Sequence, residues 1–258
     1  MSANPFISFI VPVYNEELNI ANMLANLARV LAAHPHWNSE LIIVEDGSRD
    51  NTRQVILQEL KKYPGTQFIA HEKNQGYTAS LKDGIRRARG LYLMYIGADE
   101  EFDSSELPDF VEPLRRGEAD LILGVRWQRN AYTLFRFFLS VIYIFTLNGL
   151  FKLRVNDYNW SQAWCRDIFT KIELESGSLF VLPEIIIKAF DLNYRIKEVP
   201  SNHRGRQAGK SSVNFKIMGK AFWEAFRFAV KRRRPGYHAD SSTPFLPASE
   251  RSALSVQR

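Results

Sequence analysis

At 258 residues and 45% hydrophobic content, the chain has ample apolar material for a packed core and suits one large α/β domain with an appendage, or two small domains. Its one cysteine, Cys165, excludes an intrachain disulfide and fits a reducing compartment. The net charge of +6 is uneven: residues 203–234 hold ten Lys or Arg against the single acid Glu224, so this segment is +9 and the rest −3, the mark of an anionic partner (nucleic acid, phosphorylated ligand or membrane surface) or of a solvated basic face.

No secretory signal pattern precedes the first strand, and no repeat or long low-complexity tract is present. Residues 9–17 and 41–48 are apolar, β-branched runs that stop in polar turn residues, as buried parallel strands do. The amphipathic stretch 18–33 between them completes a βαβ unit. Residues 91–101 repeat the pattern of strand, then acids. Strands are predicted at 6–13, 40–45, 67–71, 91–97 and 120–125, and helices at 16–33, 50–62, 77–89 and 105–116. This alternation predicts a mostly parallel, doubly wound sheet, whose strand ends are where such folds bind nucleotides. Asp50-Asn51-Thr52 reads as a helix cap, and Lys73-Asn74-Gln75-Gly76 as a turn whose glycine lets backbone approach a ligand.

The character changes after Arg126. Residues 134–151 form an apolar run with one charge, Arg136, at the lower length limit for a membrane span. Arg136, Ser140 and Tyr143 share a helical face, which predicts a helix lying at a membrane boundary; a buried core helix is the alternative. Residues 161–190 read as two helices, with Trp160 and Trp164 on one face, and 194–200 as a late strand. A last helix is predicted at 214–232, with Phe215, Met218, Phe222, Phe226 and Ala229 on one face and Lys216, Lys220, Glu224, Arg227 and Lys231 opposite, the pattern of a membrane-surface helix. Pro235 closes it, and the Ser/Pro-rich tail from Gly236 reads as disordered.

These motifs carry a resemblance. Pro12-Val13-Tyr14-Asn15-Glu16, Glu45-Asp46-Gly47-Ser48 and Ala98-Asp99, followed in order by Gly124-Val125-Arg126 and Arg206-Gln207-Ala208-Gly209-Lys210-Ser211, resemble the inverting family 2 glycosyltransferases of GT-A fold. Among these the chain is most similar to the dolichol-phosphate and polyprenol-phosphate sugar synthases, over residues 6–213. The resemblance implies a Rossmann-like, mostly parallel sheet with flanking helices. It implies a nucleotide-sugar-binding half at 1–126, an acceptor-binding half at 127–213 and an amphipathic basic helix at 214–234. It further implies transfer of one sugar, with inversion, from a GDP- or UDP-sugar to a polyprenyl phosphate. The enzyme would sit peripherally on the cytoplasmic face of a membrane, drawn by anionic lipid.

By the same resemblance, Pro12, Tyr14, Glu16 and Asp46 form the nucleotide pocket, with Gly76 beside it and Asp99 at the diphosphate. Read alone, Asp46 before Gly47 is equally an ordinary turn residue. The family carries Asp-x-Asp at the end of the fourth strand; here the residues are Gly97, Ala98 and Asp99, and the first carboxylate is missing. Asp99 and Glu101, two apart and on one side of an extended chain, remain as ligands for Mg²⁺ or Mn²⁺. Weakened metal binding or lost activity is the alternative.

On the acceptor side, a hydroxyl needs a general base, whereas a phosphate monoester is already ionised near pH 7 and needs cations to hold it. No Glu-Asp pair occurs between Asp157 and Asp191, only the separated Glu173, Glu175 and Glu184. Arg126, Arg136, Ser140, Arg206 and Ser211 look like the phosphate-binding set of the polyprenol-phosphate synthases, with Arg126 and Arg206 joining Asp99 in catalysis. For any single arginine the ordinary reading is a surface ion pair. Two other readings stand beside this one: transfer to a hydroxyl with Glu184 as base, and a non-catalytic nucleotide-sugar-binding scaffold, motivated by Gly97. Nucleic-acid binding explains the basic cluster but none of the strand-end acids, so no nucleic-acid partner is expected.

Overall fold

The computed structural model describes residues 4–128, 134–205, 215–240 and 245–246. The strands are β1 (Ile7–Val13), β2 (Ser39–Glu45), β3 (Gln67–Ala70), β4 (Tyr92–Tyr95), β5 (Leu121–Gln128), β6 (Gln162–Cys165) and β7 (Ile196–Asn202). The helices are α1 (Ile20–Ala33), α2 (Thr52–Glu59), α3 (Tyr77–Arg87), α4 (Leu107–Arg115), α5 (Leu134–Phe151), α6 (Val181–Asp191) and α7 (Phe215–Arg232). The strands form one sheet in the order β3-β2-β1-β4-β6-β5-β7. Only β6 runs antiparallel to its neighbours among the described strands.

β1 lies between β2 and β4, and nearly every side chain along it is buried, which is why it reads as a continuous apolar run rather than an alternation. The chain winds outward through β2 and β3, then returns to the other side of β1 as β4. Strand order therefore reverses at β1, and the crevice at the carboxyl ends of β1, β2 and β4 is the topological switch point. The fold is the expected α/β one: a mostly parallel sheet with flanking helices.

Three expectations are corrected. Residues 161–190 are not two helices: residues 162–165 are β6, inserted between β4 and β5, then a 3-10 turn at Arg166–Thr170, then α6. All four residues of β6 are buried, and a short, wholly buried run carries no period that separates strand from helix. Trp160 and Trp164 consequently share no helix face. The indole N–H of Trp160 donates to Ser201 (2.7 Å) and that of Trp164 to Gln162 (2.9 Å), both inside the protein.

The second correction concerns which faces are buried. On α5 the stripe through Ser140 and Tyr143 faces inward. Tyr143 is buried against Phe222 of α7, with ring centroids 5.0 Å apart. On α7 the buried face is Ala221, Ala225, Phe228 and Ala229, so of the face expected at the membrane Ala229 packs inward while Phe226 points out. Both helices turn a second apolar arc to solvent: Phe138, Ile142 and Phe145 on α5, and Trp223, Phe226 and Val230 on α7. Trp127, near the end of β5, is exposed as well. No described helix is long and apolar enough to cross a membrane.

The third correction concerns the described residues of the tail, 236–240 and 245–246. Tyr237 packs its ring on Phe228, and Leu246 is buried with its N–H donating to Phe169 O (2.9 Å), while Phe245 N–H donates to Ile172 O (2.7 Å). Two apolar residues in a Ser/Pro-rich segment suffice for this anchor.

At the far end of the sheet, Glu40 ties four segments together. It accepts from Ser8 Oγ on β1 (2.6 Å), Gln67 Nε2 on β3 (2.8 Å), and the backbone N–H (2.6 Å) and guanidinium of Arg89. Burial pushes its carboxyl pKa up, but the Ser8 and Arg89 bonds together outweigh burial and leave it lowered. A lowered folded-state pKa contributes stability above the unfolded value, and this is lost as pH falls through the folded one. Glu40→Gln is expected to lower the melting midpoint at pH 7, the gap to wild type closing in acid; melts across a pH series check it.

Candidate active site

The loops at the switch point are laced to each other. Asn15, with φ 53°, donates its N–H to Ser48 Oγ (3.0 Å) and accepts from Arg49 N–H (2.8 Å). Glu16 N–H donates to Thr52 Oγ1 (2.8 Å), and the Glu16 carboxylate accepts from Asn19 (2.6 Å). These bonds occupy residues 16–19, so α1 begins at Ile20 rather than at Glu16. Asp50, not Asn51, caps α2, accepting from Thr52 N–H at 3.0 Å. Buried Glu45 accepts from Ser48 N–H and Arg53.

Asp46 is 2% exposed and spreads its carboxylate over three donors. Oδ1 faces His71 Nδ1 (2.7 Å) and accepts from Gln75 N–H (2.8 Å); Oδ2 accepts from Gly76 N–H (2.8 Å). It is therefore more than a turn residue: it fixes the 75–76 backbone at the start of α3. Gly76 has φ 92°, and the space beside it is open. The steric glycine is Gly47. At φ 64°, a Cβ there would sit 2.6 Å from the Lys73 carbonyl carbon, so only glycine lets the 73–76 turn close onto β2. His71 carried no signal in the sequence, being a lone histidine just past a short strand.

At the end of β4 the chain turns rather than staying extended, with Glu100 at φ 58°. Asp99 Oδ1 turns back to accept from Glu101 N–H (3.3 Å), and an added Cβ on Gly97 would meet that same oxygen at 2.9 Å. Asp99 thus leans into the space that a side chain at 97 would fill. Glu101 reaches His203 (3.3 Å), while Glu100 turns to Asn26 of α1 (2.9 Å) and Asp103 pairs with Arg204. Among the described residues no group of three or more His, Cys, Asp or Glu is arranged to hold a metal ion. Asp99 and Glu101 offer oxygen donors only, the kind a hard cation such as Mg²⁺ takes together with phosphate and water. Burial pushes the phenols of Tyr77 and Tyr95, which meet edge to face nearby, well up.

On the acceptor side, Arg126 makes a bidentate pair with Asp157 (2.7 and 2.8 Å) and lies 4.9 Å from the Trp160 ring centroid. Ser140 is half-buried on α5. Arg136 falls on α5 with its side chain outside the described residues, as are Arg206 and Ser211 entirely. Glu184 is buried and fully engaged: it accepts from the N–H groups of Glu175 (2.9 Å) and Ser176 (2.8 Å) and pairs with Lys188 (2.8 Å). The loop it holds, residues 174–178, also accepts Lys82 and Thr78 of α3 through its carbonyls and donates the Ser176 and Ser178 hydroxyls to Glu224 of α7.

Residues 8–171 match the family described as glycosyl transferase family 2. The chain is 28% identical over 242 residues to the dodecaprenyl-phosphate galacturonate synthase of Rhizobium johnstonii, covering 90% of this chain and 69% of that protein. It is 26% identical over 222 residues to the dolichyl-phosphate beta-glucosyltransferase of Dictyostelium discoideum, covering 77% and 66%. It thus spans about two thirds of the length of these relatives. In fold it superposes on glucosyl-3-phosphoglycerate synthase from Mycobacterium tuberculosis, crystallised with Mg²⁺ and uridine diphosphate, at TM-score 0.69 and 17% identity over 87% of this chain and 79% of that one. With a matched segment covering more than half of its length and the strand-end carboxylates gathered at the switch point, the chain belongs to glycosyl transferase family 2 and is a glycosyltransferase related to the polyprenyl-phosphate sugar synthases.

Proposed function

We propose that this enzyme moves one sugar, with inversion, from a UDP- or GDP-sugar to a polyprenyl phosphate, while lying on the cytoplasmic face of a membrane. The observation that carries this reading is the outward apolar arcs of α5 and α7, with Phe145 73% and Trp223 64% exposed, the latter beside the basic Lys216, Lys220, Arg227 and Lys231. A bilayer-embedded acceptor presents its phosphate at headgroup level, and such a face suits docking there. The names of the two relatives support the same acceptor class.

In this reading Pro12, Tyr14, Glu16, Asp46 and Gly76 shape the nucleotide pocket. Asp99 and Glu101 would hold a divalent cation, which when bound neutralises charge on the leaving diphosphate. Arg126, Arg136, Ser140, Arg206 and Ser211 hold the acceptor phosphate. One phosphate oxygen attacks the anomeric carbon from the face opposite the diphosphate; the new C–O bond forms as the bond to the nucleotide breaks. An ionised phosphate needs no proton removed, in keeping with a Glu184 already committed to two backbone N–H groups and Lys188. Glu184→Gln is therefore expected to destabilise the fold by about 2–3 kcal/mol and leave the turnover of the folded enzyme near wild type. Lost turnover with an unchanged melting midpoint would move the weight to a hydroxyl acceptor.

The deciding experiment supplies labelled UDP- and GDP-sugars and polyprenyl phosphate in detergent, with Mg²⁺ or Mn²⁺ and with EDTA. Metal-dependent label in the organic phase is the expected result. Saturable nucleotide binding without transfer would favour a scaffold instead.

A further inference from the structure

His71 is 6% exposed and has no part in the chemistry above. It stands one residue beyond β3, and its ring lies between two carboxylates. Nδ1 is 2.7 Å from Asp46 Oδ1, at the end of β2, and Nε2 is 3.1 Å from Asp83 Oδ2, on α3. A neutral imidazole has one N–H and would set a lone pair against the other carboxylate. For the ring to donate to both carboxylates at once it takes an N–H on each nitrogen.

The surroundings hold that geometry. The His71 N–H donates to Glu45 O (2.9 Å), and its carbonyl accepts from Arg53 of α2, which also pairs with Glu45. Asp83 is braced by Arg86 one turn along α3 (2.8 Å). The charged groups around His71 are thus Asp46 and Asp83 on the ring, Glu45 and Arg53 at its backbone, and Arg86 behind Asp83. Asp46 in turn spends its oxygens on the N–H groups of Gln75 and Gly76, the lip of the pocket at the N-terminus of α3.

We propose that His71 is a positioning residue for the donor: a two-sided hydrogen-bond donor clamped between Asp46 and Asp83 that sets the Asp46 carboxylate and, through it, the Gln75–Gly76 lip against which the nucleotide sits. The inference rests on the proposed role of the Asp46 pocket in donor binding. It locates the effect of His71 in donor affinity and not in the transfer step, because the ring reaches the site only through Asp46.

The test compares wild type, His71→Gln and Asp83→Asn. Gln donates from one amide nitrogen and so cannot serve both carboxylates; Asp83→Asn alters the outer partner and leaves Asp46 intact. Titration calorimetry measures UDP and GDP binding, donor kinetics give KM and kcat, and ¹⁵N spectra of the imidazole report its protons. The expected result is that His71→Gln binds the preferred nucleotide about tenfold more weakly, with donor KM rising alike and kcat at saturating donor nearly unchanged. Asp83→Asn is expected to weaken binding less, and to change the Nε2 signal of the ring. Folded His71→Gln with wild-type affinity, or with lowered kcat and unchanged KM, would overturn the proposal. Should His71→Gln fail to fold, Asp83→Asn with wild-type affinity and an unchanged ring spectrum overturns it instead. A wild-type enzyme that binds neither nucleotide would sink the donor reading itself, an outcome distinct from either variant result.

Discussion

Asp99→Asn is expected to cut sugar transfer by about 10²–10³-fold, the usual cost of losing one electrostatic stabiliser of the leaving charge. The family's first aspartate is absent at Gly97, so Asp99 and Glu101 are the acids left at this turn beside the cleft, with Glu100 and Asp103 turned to other partners. Glu101→Gln should cost less, since Glu101 also serves His203. Restoring the missing acid asks only for a small adjustment: a side chain at 97 would bring its Cβ to 2.9 Å from Asp99 Oδ1, the outer end of a rotatable carboxylate that can turn aside, so Gly97→Asp is expected to tighten Mn²⁺ binding. Initial rates with Mn²⁺ and electron paramagnetic resonance of bound Mn²⁺ measure the two effects separately. An Asp99→Asn enzyme with half the wild-type rate would remove Asp99 from the proposed site.

Trp223→Glu combined with Phe226→Glu is expected to lower partitioning onto anionic vesicles by about 10²-fold, without loss of fold. Each aromatic in the outward face of α7 has apolar area to bury in lipid, and each new carboxylate is repelled by the surface charge. The buried face, Ala221, Ala225, Phe228 and Ala229, is untouched. Vesicle cosedimentation measures binding, and circular dichroism the fold. Transfer to a short, water-soluble polyprenyl phosphate should persist in the double variant. Unchanged vesicle binding would show that this face meets something other than lipid.

The donor side is largely legible in the sequence because its physics is local. A parallel strand buried on both faces must be an apolar run, and the acids that follow it must lie at the strand's carboxyl end. Glu16, Asp46 and Asp99 follow from that logic. The acceptor side is less so. β6 is short and buried on all sides, and its identity comes from the gap it fills between β4 and β5. On α7 the face expected at the membrane is divided: Phe226 points out, while Ala229 packs inward. Two apolar arcs compete, and the arc with Ala221 and Ala225 wins because small residues let the helix approach the core. His71 has no motif at all; its meaning lies in Asp46 and Asp83, which are 25 and 12 residues away along the chain.

The loop at 174–178 joins the two sides of this enzyme. It takes Thr78 and Lys82 from the helix that begins at the nucleotide lip, and gives its serine hydroxyls to Glu224 on the helix that bears Trp223. Buried, mutually satisfied bonds of this kind resist bending. Under the proposed function, a helix α7 resting on lipid would through this loop carry the nucleotide lip at a set height above the headgroups.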